Sequence, residues 1–200
     1  MRRLSILLLL VSVLLTGCAT RFSNNGDGYL NEKTGILYLP ISTAFEAADS
    51  DGEVGSWENK KADIEVVFYK IPGADEARFL TDDIGTVYAA DGVAPDVSDW
   101  NVKNILVCDE GGISFAVANV TDAQIITQIC TLWQDGEQDE LPYSGLATSR
   151  RLKMVSDDCP GVYYCVLYMI YKDGTAYFYD RDTRRTVFVS EELMKKIPIT

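Results

Sequence analysis

Val162-Tyr-Tyr-Cys-Val-Leu-Tyr-Met-Ile-Tyr171 is a run of ten residues with no charge, no Gly and no Pro. Aromatic and β-branched side chains dominate it, which is strand composition. Alternation puts Tyr163 and Tyr171 on one face and Tyr164 and Tyr168 on the other. Both faces are apolar, so the run predicts a central strand covered on both sides. Turn residues bound it: Asp157-Asp-Cys-Pro-Gly161 before and Lys172-Asp-Gly174 after. Arg150–Ser156 lies one turn upstream. Thr175–Asp180 and Thr186–Val189 follow, joined by Asp180–Arg185. Connections this short give antiparallel neighbours, so the C-terminal quarter is expected to be a four-strand meander.

Further upstream, Asp63–Ile71 alternates, with Ile64, Val66 and Phe68 on one face. Gly35–Ile41, Arg78–Leu80 and Thr86–Ala90 are shorter strand candidates. Asn104–Cys108 and Ile113–Val120 flank paired glycines and predict a hairpin. Two helices are expected. Thr121-Asp-Ala-Gln124 has the form of a capping box. Ile125, Ile126, Ile129, Leu132 and Trp133 then recur at helical spacing until Gly136, giving a helix over about 122–134. Ser190 caps a second, over about 191–197, with Glu191 and Glu192 at its positive end and Lys195 and Lys196 at its negative end. Residues 44–61 and 91–103 read as polar loops. The class is α+β: β-rich, a mainly antiparallel sheet, and one globular domain over 29–200.

The N-terminus carries an address. Arg2 and Arg3 precede an almost wholly apolar run, Leu4–Leu15, too short for a comfortable membrane span. Leu15-Thr16-Gly17-Cys18 ends it. This resembles the lipobox of bacterial lipoproteins. The resemblance implies that 1–17 is a signal peptide and that Cys18 receives diacylglycerol and becomes the first residue. It also implies export and anchoring to a bacterial membrane: the outer face of the cytoplasmic membrane, or the outer membrane of a Gram-negative cell. Residues 18–28 would then be the lipidated cysteine and a short polar tether. From Ala19, ten extended residues span about 35 Å, so the domain would work close to the bilayer.

The chain has formal charge −12, and loss of Arg2 and Arg3 takes the mature chain to −14. Such a surface repels phosphate backbones, so no nucleic-acid partner is expected. There is no histidine, which removes imidazole-based nucleophile systems and imidazole zinc sites. Beyond Cys18 there are four cysteines, Cys108, Cys130, Cys159 and Cys165. Four allow three disulfide connectivities, and spacing does not choose among them.

Asp49-Ser-Asp51-Gly-Glu53, with Glu58 beyond it, is the nearest approach to a metal motif. Hard cations need several oxygens on a turn that a glycine permits. Calcium is the metal such a set would take. Against it, the first ligand position of an EF-hand loop would fall on Ala47. Asp109-Glu110, Asp139-Glu140 and Asp157-Asp158 are adjacent acids of the kind turns contain, whereas glycosidases set two carboxyls across a cleft. Tyr177 and Tyr179, on a strand nearer the sheet edge, are the candidate ligand-binding aromatics. The expectation is a lipid-anchored, non-catalytic binding module with an envelope protein or glycan as partner and no cofactor. The alternatives are a carboxylate-dependent enzyme acting on an envelope glycan and a calcium-stabilised structural module.

Overall fold

The expected central strand lies between two partners in the computed structural model, which describes residues 20–93, 95, 97–110 and 115–198. In chain order the strands are β1 (Thr20–Asn24), β2 (Tyr29–Asn31), β3 (Leu37–Pro40), β4 (Phe45–Ala47), β5 (Asp51–Asn59), β6 (Ile64–Lys70), β7 (Phe79–Thr81), β8 (Val87–Ala90), β9 (Val102–Asp109), β10 (Ala116–Val120), β11 (Leu146–Ser156), β12 (Val162–Tyr171), β13 (Ala176–Tyr179) and β14 (Thr186–Phe188). The helices are α1 (Ala123–Asp135) and α2 (Glu191–Met194). The molecule is therefore β-rich α+β, as expected. The meander β11–β12–β13–β14 forms in the expected order within a seven-stranded sheet, β10-β9-β11-β12-β13-β14 with β4 also on β12.

The remaining seven strands close on themselves in the order β1-β2-β3-β8-β7-β6-β5. This barrel is a correction to the single, mainly antiparallel sheet. Its one parallel contact, β1 with β5, sets Thr20 opposite Gly55 and completes the ring. Two segments expected to be irregular supply that seam. The polar tether contains β1 and runs into β2, and the long loop at 44–61 contains β4 and β5. Neither alternates in sequence. Each is ordered by strands on its flanks, which satisfy the backbone whatever the side chains are. The barrel interior holds Phe22, Tyr38, Phe68, Leu80, Tyr88 and Ala90. The buried Tyr88 hydroxyl donates to Asp82 Oδ2 at 3.0 Å, and Tyr38 donates to the Glu76 carbonyl at 2.8 Å.

Helix α1 begins one residue later than the capping box implied. Asp122, not Thr121, is the cap, and its Oδ1 accepts from the amides of Gln124 and Ile125 at 2.8 and 3.2 Å. A carboxylate suits the positive end of a helix better than a hydroxyl. Gly136 ends the helix as expected, because a Cβ there would collide with the Leu132 carbonyl and Val187. Ser190 caps α2 as expected, accepting from the Leu193 amide at 3.3 Å.

Both helices pack on one face of the seven-stranded sheet. Ile126, Ile129 and Trp133 of α1, with Leu193 and Ile197, meet Leu152, Met154, Tyr164, Val166, Tyr168 and Phe178. Of the two faces of β12, only the even-numbered one is thus covered by helices. Among the described residues no helix lies on the odd-numbered face. Cys165, Leu167 and Tyr171 on that face are nevertheless buried, so the strand is covered on both sides as expected, on this one without a helix. The barrel abuts the end of the sheet, where Ile71, Phe79, Val87 and Ala89 pack against Cys159 and Val162.

Candidate functional site

The open face follows from the strand registers. Phe188, Tyr177, Met169 and Ser149 align across β14, β13, β12 and β11. The next row is Thr186, Tyr179, Leu167, Arg151 and Cys108, and the one after it contains Cys165, Lys153 and Leu106. Glu46 of β4 lies beside Tyr163 on the same side. The face thus grades from aromatic at the β14 edge to charged beside the barrel.

Tyr177 and Tyr179, the aromatics singled out from sequence, both stand on this face. Tyr177 is buried between Tyr171 and Phe188, each with its ring centroid 5.7 Å away. Tyr179 is half-buried and lines a cavity. The expected division of Tyr163 and Tyr171 from Tyr164 and Tyr168 also holds.

The charged part is centred on Glu46. Its carboxylate accepts from Arg151 Nη1 at 2.9 Å, from Lys153 Nζ at 2.5 Å and from the Cys165 thiol at 3.5 Å. Lys153 is nearly buried, with 8% of its side chain exposed, so Glu46 is its necessary counter-ion. Lys153 also sits 5.8 Å from the Tyr163 ring centroid. Glu110 reaches over the same face, held by the Ser149 hydroxyl and Arg181. Asp182 fastens the crossing from barrel to sheet. It accepts from the Ser42 hydroxyl at 2.8 Å and from the amide and hydroxyl of Thr43 at 2.7 and 2.6 Å.

Two adjoining cavities share Thr43 and Arg151. One, of about 150 Å³, is lined by Arg151, Cys165, Leu167, Tyr179, Asp180 and Arg181. The other, of about 360 Å³, lies against the barrel's β7–β8 turn, where Ile84 is exposed at the lip.

Burial alone would raise the Glu46 pKa, but hydrogen bonds and charge from Lys153 and Arg151 outweigh it and hold the carboxyl below the ordinary 4.5. A group depressed in the folded state contributes stability above its unfolded pKa and loses it as pH falls through the folded one. Wild-type protein should therefore lose part of its urea resistance below about pH 4.5, and Glu46→Gln should flatten that part of the profile. An unchanged acid limb in Glu46→Gln would contradict it. The hydroxyls of Thr43 and Ser42 likewise hold Asp182 below its usual range.

The remaining sequence-derived candidates do not converge. Asp51, Glu53 and Glu58 lie along β5, where a loop was expected, and Asp49 precedes it. At about 3.3 Å per residue, Asp51 and Glu58 stand roughly 20 Å apart, far beyond a shared calcium shell. Glu58 instead faces Glu65 across the ladder. Among the described residues no group of three or more His, Cys, Asp or Glu side chains could hold a metal ion. The four cysteines are free thiols. Cys108 and Cys165 share the open face but are separated by β11, and two strand spacings of about 9–10 Å exceed the roughly 7 Å a disulfide spans. Cys130 is on α1, across the sheet, and Cys159 is buried in the β11–β12 turn. Burial pushes the Cys130 thiol up to about 11, and burial followed by the Glu46 carboxylate pushes Cys165 up strongly. Residues 1–17, expected to be a signal peptide, and Cys18, the expected lipidation site, lie outside the described residues.

Sequence reasoning missed Glu46, Arg151, Lys153 and Arg181 as a group. One signal was available: Arg151-Leu-Lys-Met154 alternates charged and apolar, which marks one side of β11 as polar. No protein-family model, curated protein or solved structure matches this chain.

Proposed function

We propose that this protein is a lipid-anchored, non-catalytic binding module of a bacterial envelope, and that the open face of its seven-stranded sheet receives the ligand. One observation carries the reading. Both helices sit on the same face, and the opposite one, though largely buried, presents Phe188 and Arg181 with partly exposed Tyr179 and Arg151 beside two cavities. Aromatic rings with a guanidinium nearby are what recognition surfaces use, because the rings bring area at small entropic cost. The chemistry of the face also suits binding better than turnover. A general acid needs a raised carboxyl pKa, whereas Glu46 is held low by Lys153 and Arg151. A nucleophilic thiol needs a lowered pKa, whereas that of Cys165 is raised.

The lipobox resemblance supplies the location. With β1 starting at Thr20, only Ala19 separates Cys18 from the first barrel strand. Acyl chains on Cys18 would then hold the barrel within about 7 Å of the anchor point, much nearer than a ten-residue tether would. An envelope glycan or protein at the membrane surface is the partner this position favours.

Photo-crosslinking on membranes of expressing cells tests the proposal. The chain should be recovered in the membrane fraction. A crosslinker replacing Phe188, on the open face, should give a discrete adduct, and one replacing Gln124, on the outer side of α1, should not. Equal yields from the two positions, or none from Phe188, would refute the assignment of the face.

A further inference from the structure

The helix-free face ends, beside β14, in an apolar patch. Phe188 of β14 touches Tyr177, and Tyr177 touches Tyr171, each pair with ring centroids 5.7 Å apart. Leu146, the first residue of β11, lies opposite Tyr171 in the ladder and so shares its face. The two tyrosines are buried, but Phe188 is 46% exposed and Leu146 45%. Three strand spacings of about 4.8 Å separate these two side chains, roughly 15 Å across the sheet.

An acidic loop, residues 137–145, rims this patch. The Asp139 amide donates to the Thr186 carbonyl at 2.9 Å, and Gln138 Oε1 accepts from the Thr186 amide at 3.2 Å. The outer edge of β14 is thus already occupied at Thr186, which leaves the face and not the edge to a partner. The loop then passes round the end of the sheet, where the Gly145 carbonyl accepts from the Lys172 amide, and enters β11 beside Tyr171. Glu137, Asp139 and Glu140 on this loop and Asp173 in the β12–β13 turn are exposed. Among the described residues none of the four is in an ion pair. The cations beside them in the chain are Lys172 and Arg184, so the rim keeps an excess of negative charge.

We propose that this patch, resting on the open-face reading above, docks an extended protein segment in which apolar side chains alternate with basic ones. Side chains four residues apart in such a segment lie on one side and about 13 Å from each other, close to the separation of Phe188 and Leu146. The basic side chains between them would meet the carboxylates of the rim, which fixes direction and speeds encounter. A second copy of this chain would bring the same acids, in a molecule of formal charge −12, against that rim. Anionic lipid head groups are repelled for the same reason. A glycan needs hydrogen-bond partners, and the Phe188 and Leu146 side chains carry neither donor nor acceptor.

Calorimetric titration of the full chain in nanodiscs of neutral phosphatidylcholine, with empty nanodiscs as the blank, provides the test. The probe is the peptide KLKLKFK, and the comparators are KSKSKSK, ELELEFE and chitotetraose. KLKLKFK should saturate with a Kd below about 1 mM, at least about tenfold tighter than each comparator. Phe188→Ser and Leu146→Ser should each weaken its binding about fivefold or more. Glu140→Lys, at an exposed loop position that folding does not depend on, should weaken it as well. Ile84→Ser, on an apolar side chain 83% exposed beside the barrel, should bind like wild type. The proposal is overturned if the peptide shows no saturation up to about 5 mM, if any comparator binds as tightly, if the Phe188, Leu146 and Glu140 variants all bind like wild type, or if Ile84→Ser loses as much as they do. A Phe188 adduct on membranes without peptide binding would reject this occupant and keep the open face. Peptide binding without the adduct would keep the occupant and reject the face as the partner surface in the envelope.

Discussion

Phe68→Ala is expected to cost about 3–5 kcal/mol of stability, the range for truncating a fully buried aromatic. Phe68 has no exposed surface and lies at the centre of the barrel. Its ring centroid is 4.4 Å from Phe22, 4.9 Å from Tyr29 and 5.3 Å from Tyr88. These neighbours come from β1, β2 and β8, so one side chain ties together strands distant in sequence. Closure of the backbone ring prevents the walls from collapsing into the space left, which places the cost toward the upper end of the range. For a fold of this size, 1 kcal/mol corresponds to roughly 2–4 °C, so the melting temperature should fall by at least about 6 °C. Phe115→Ala is the control: Phe115 is 68% exposed and should change stability by less than about 0.5 kcal/mol. Equal losses in the two variants would contradict the barrel core.

Gly55→Val is expected to open the barrel at its seam, at a cost of about 3 kcal/mol, the upper end of the usual range for overpacking. A Cβ at this position would collide with the carbonyl and Cα of Thr20, both of them backbone atoms. No rotamer change relieves a clash with backbone, so β1 must move away from β5. The pairs Thr20–Gly55 and Arg21–Ser56 would go with it. Hydrogen exchange distinguishes this from general destabilisation. Amides of 20–24 should lose protection first, while those of β11 and β12 keep theirs. Uniform loss across both sheets would show that the seam is not a local unit. The variant also bears on function, since β1 directly follows the proposed anchor. On the proposed anchoring through Cys18, peeling β1 away would lengthen the link between that residue and the rest of the barrel by several residues.

The elements readable from sequence are those whose signal is local. Val162–Tyr171 announces a central strand by composition, and the turns around it impose antiparallel neighbours. The spacing of Ile126, Ile129 and Trp133 specifies the buried face of α1, and Ser190 specifies the start of α2. The local signal blurs at caps, where Thr121 and Asp122 are both competent and only the backbone decides between them. It fails at β1 and β5. Thr20-Arg-Phe-Ser-Asn24 contains a single buried side chain, Phe22, and Asp51–Asn59 is polar, with glycines at 52 and 55. Such segments become strands because their neighbours supply hydrogen-bond partners.

The candidate site was legible only in fragments. Tyr177 and Tyr179 could be named because alternation and edge position are properties of one strand. The lipobox resemblance at Cys18 could be stated because it is a linear motif. Glu46 meets Arg151 and Lys153 across more than a hundred residues, and Glu110 meets Arg181 across 71. No spacing rule links residues so far apart. The sequence by itself determined the meander, both helices, the acidic surface and the absence of imidazole chemistry, because periodicity, capping and composition act within a few residues. The tertiary structure alone decided the closure of the barrel, the separation of the four thiols, the helix-free face of the sheet and the grouping of Glu46 with Arg151 and Lys153. Those depend on which distant strands pair and on which side of the sheet the helices settle, and burial of the whole chain's apolar surface sets both.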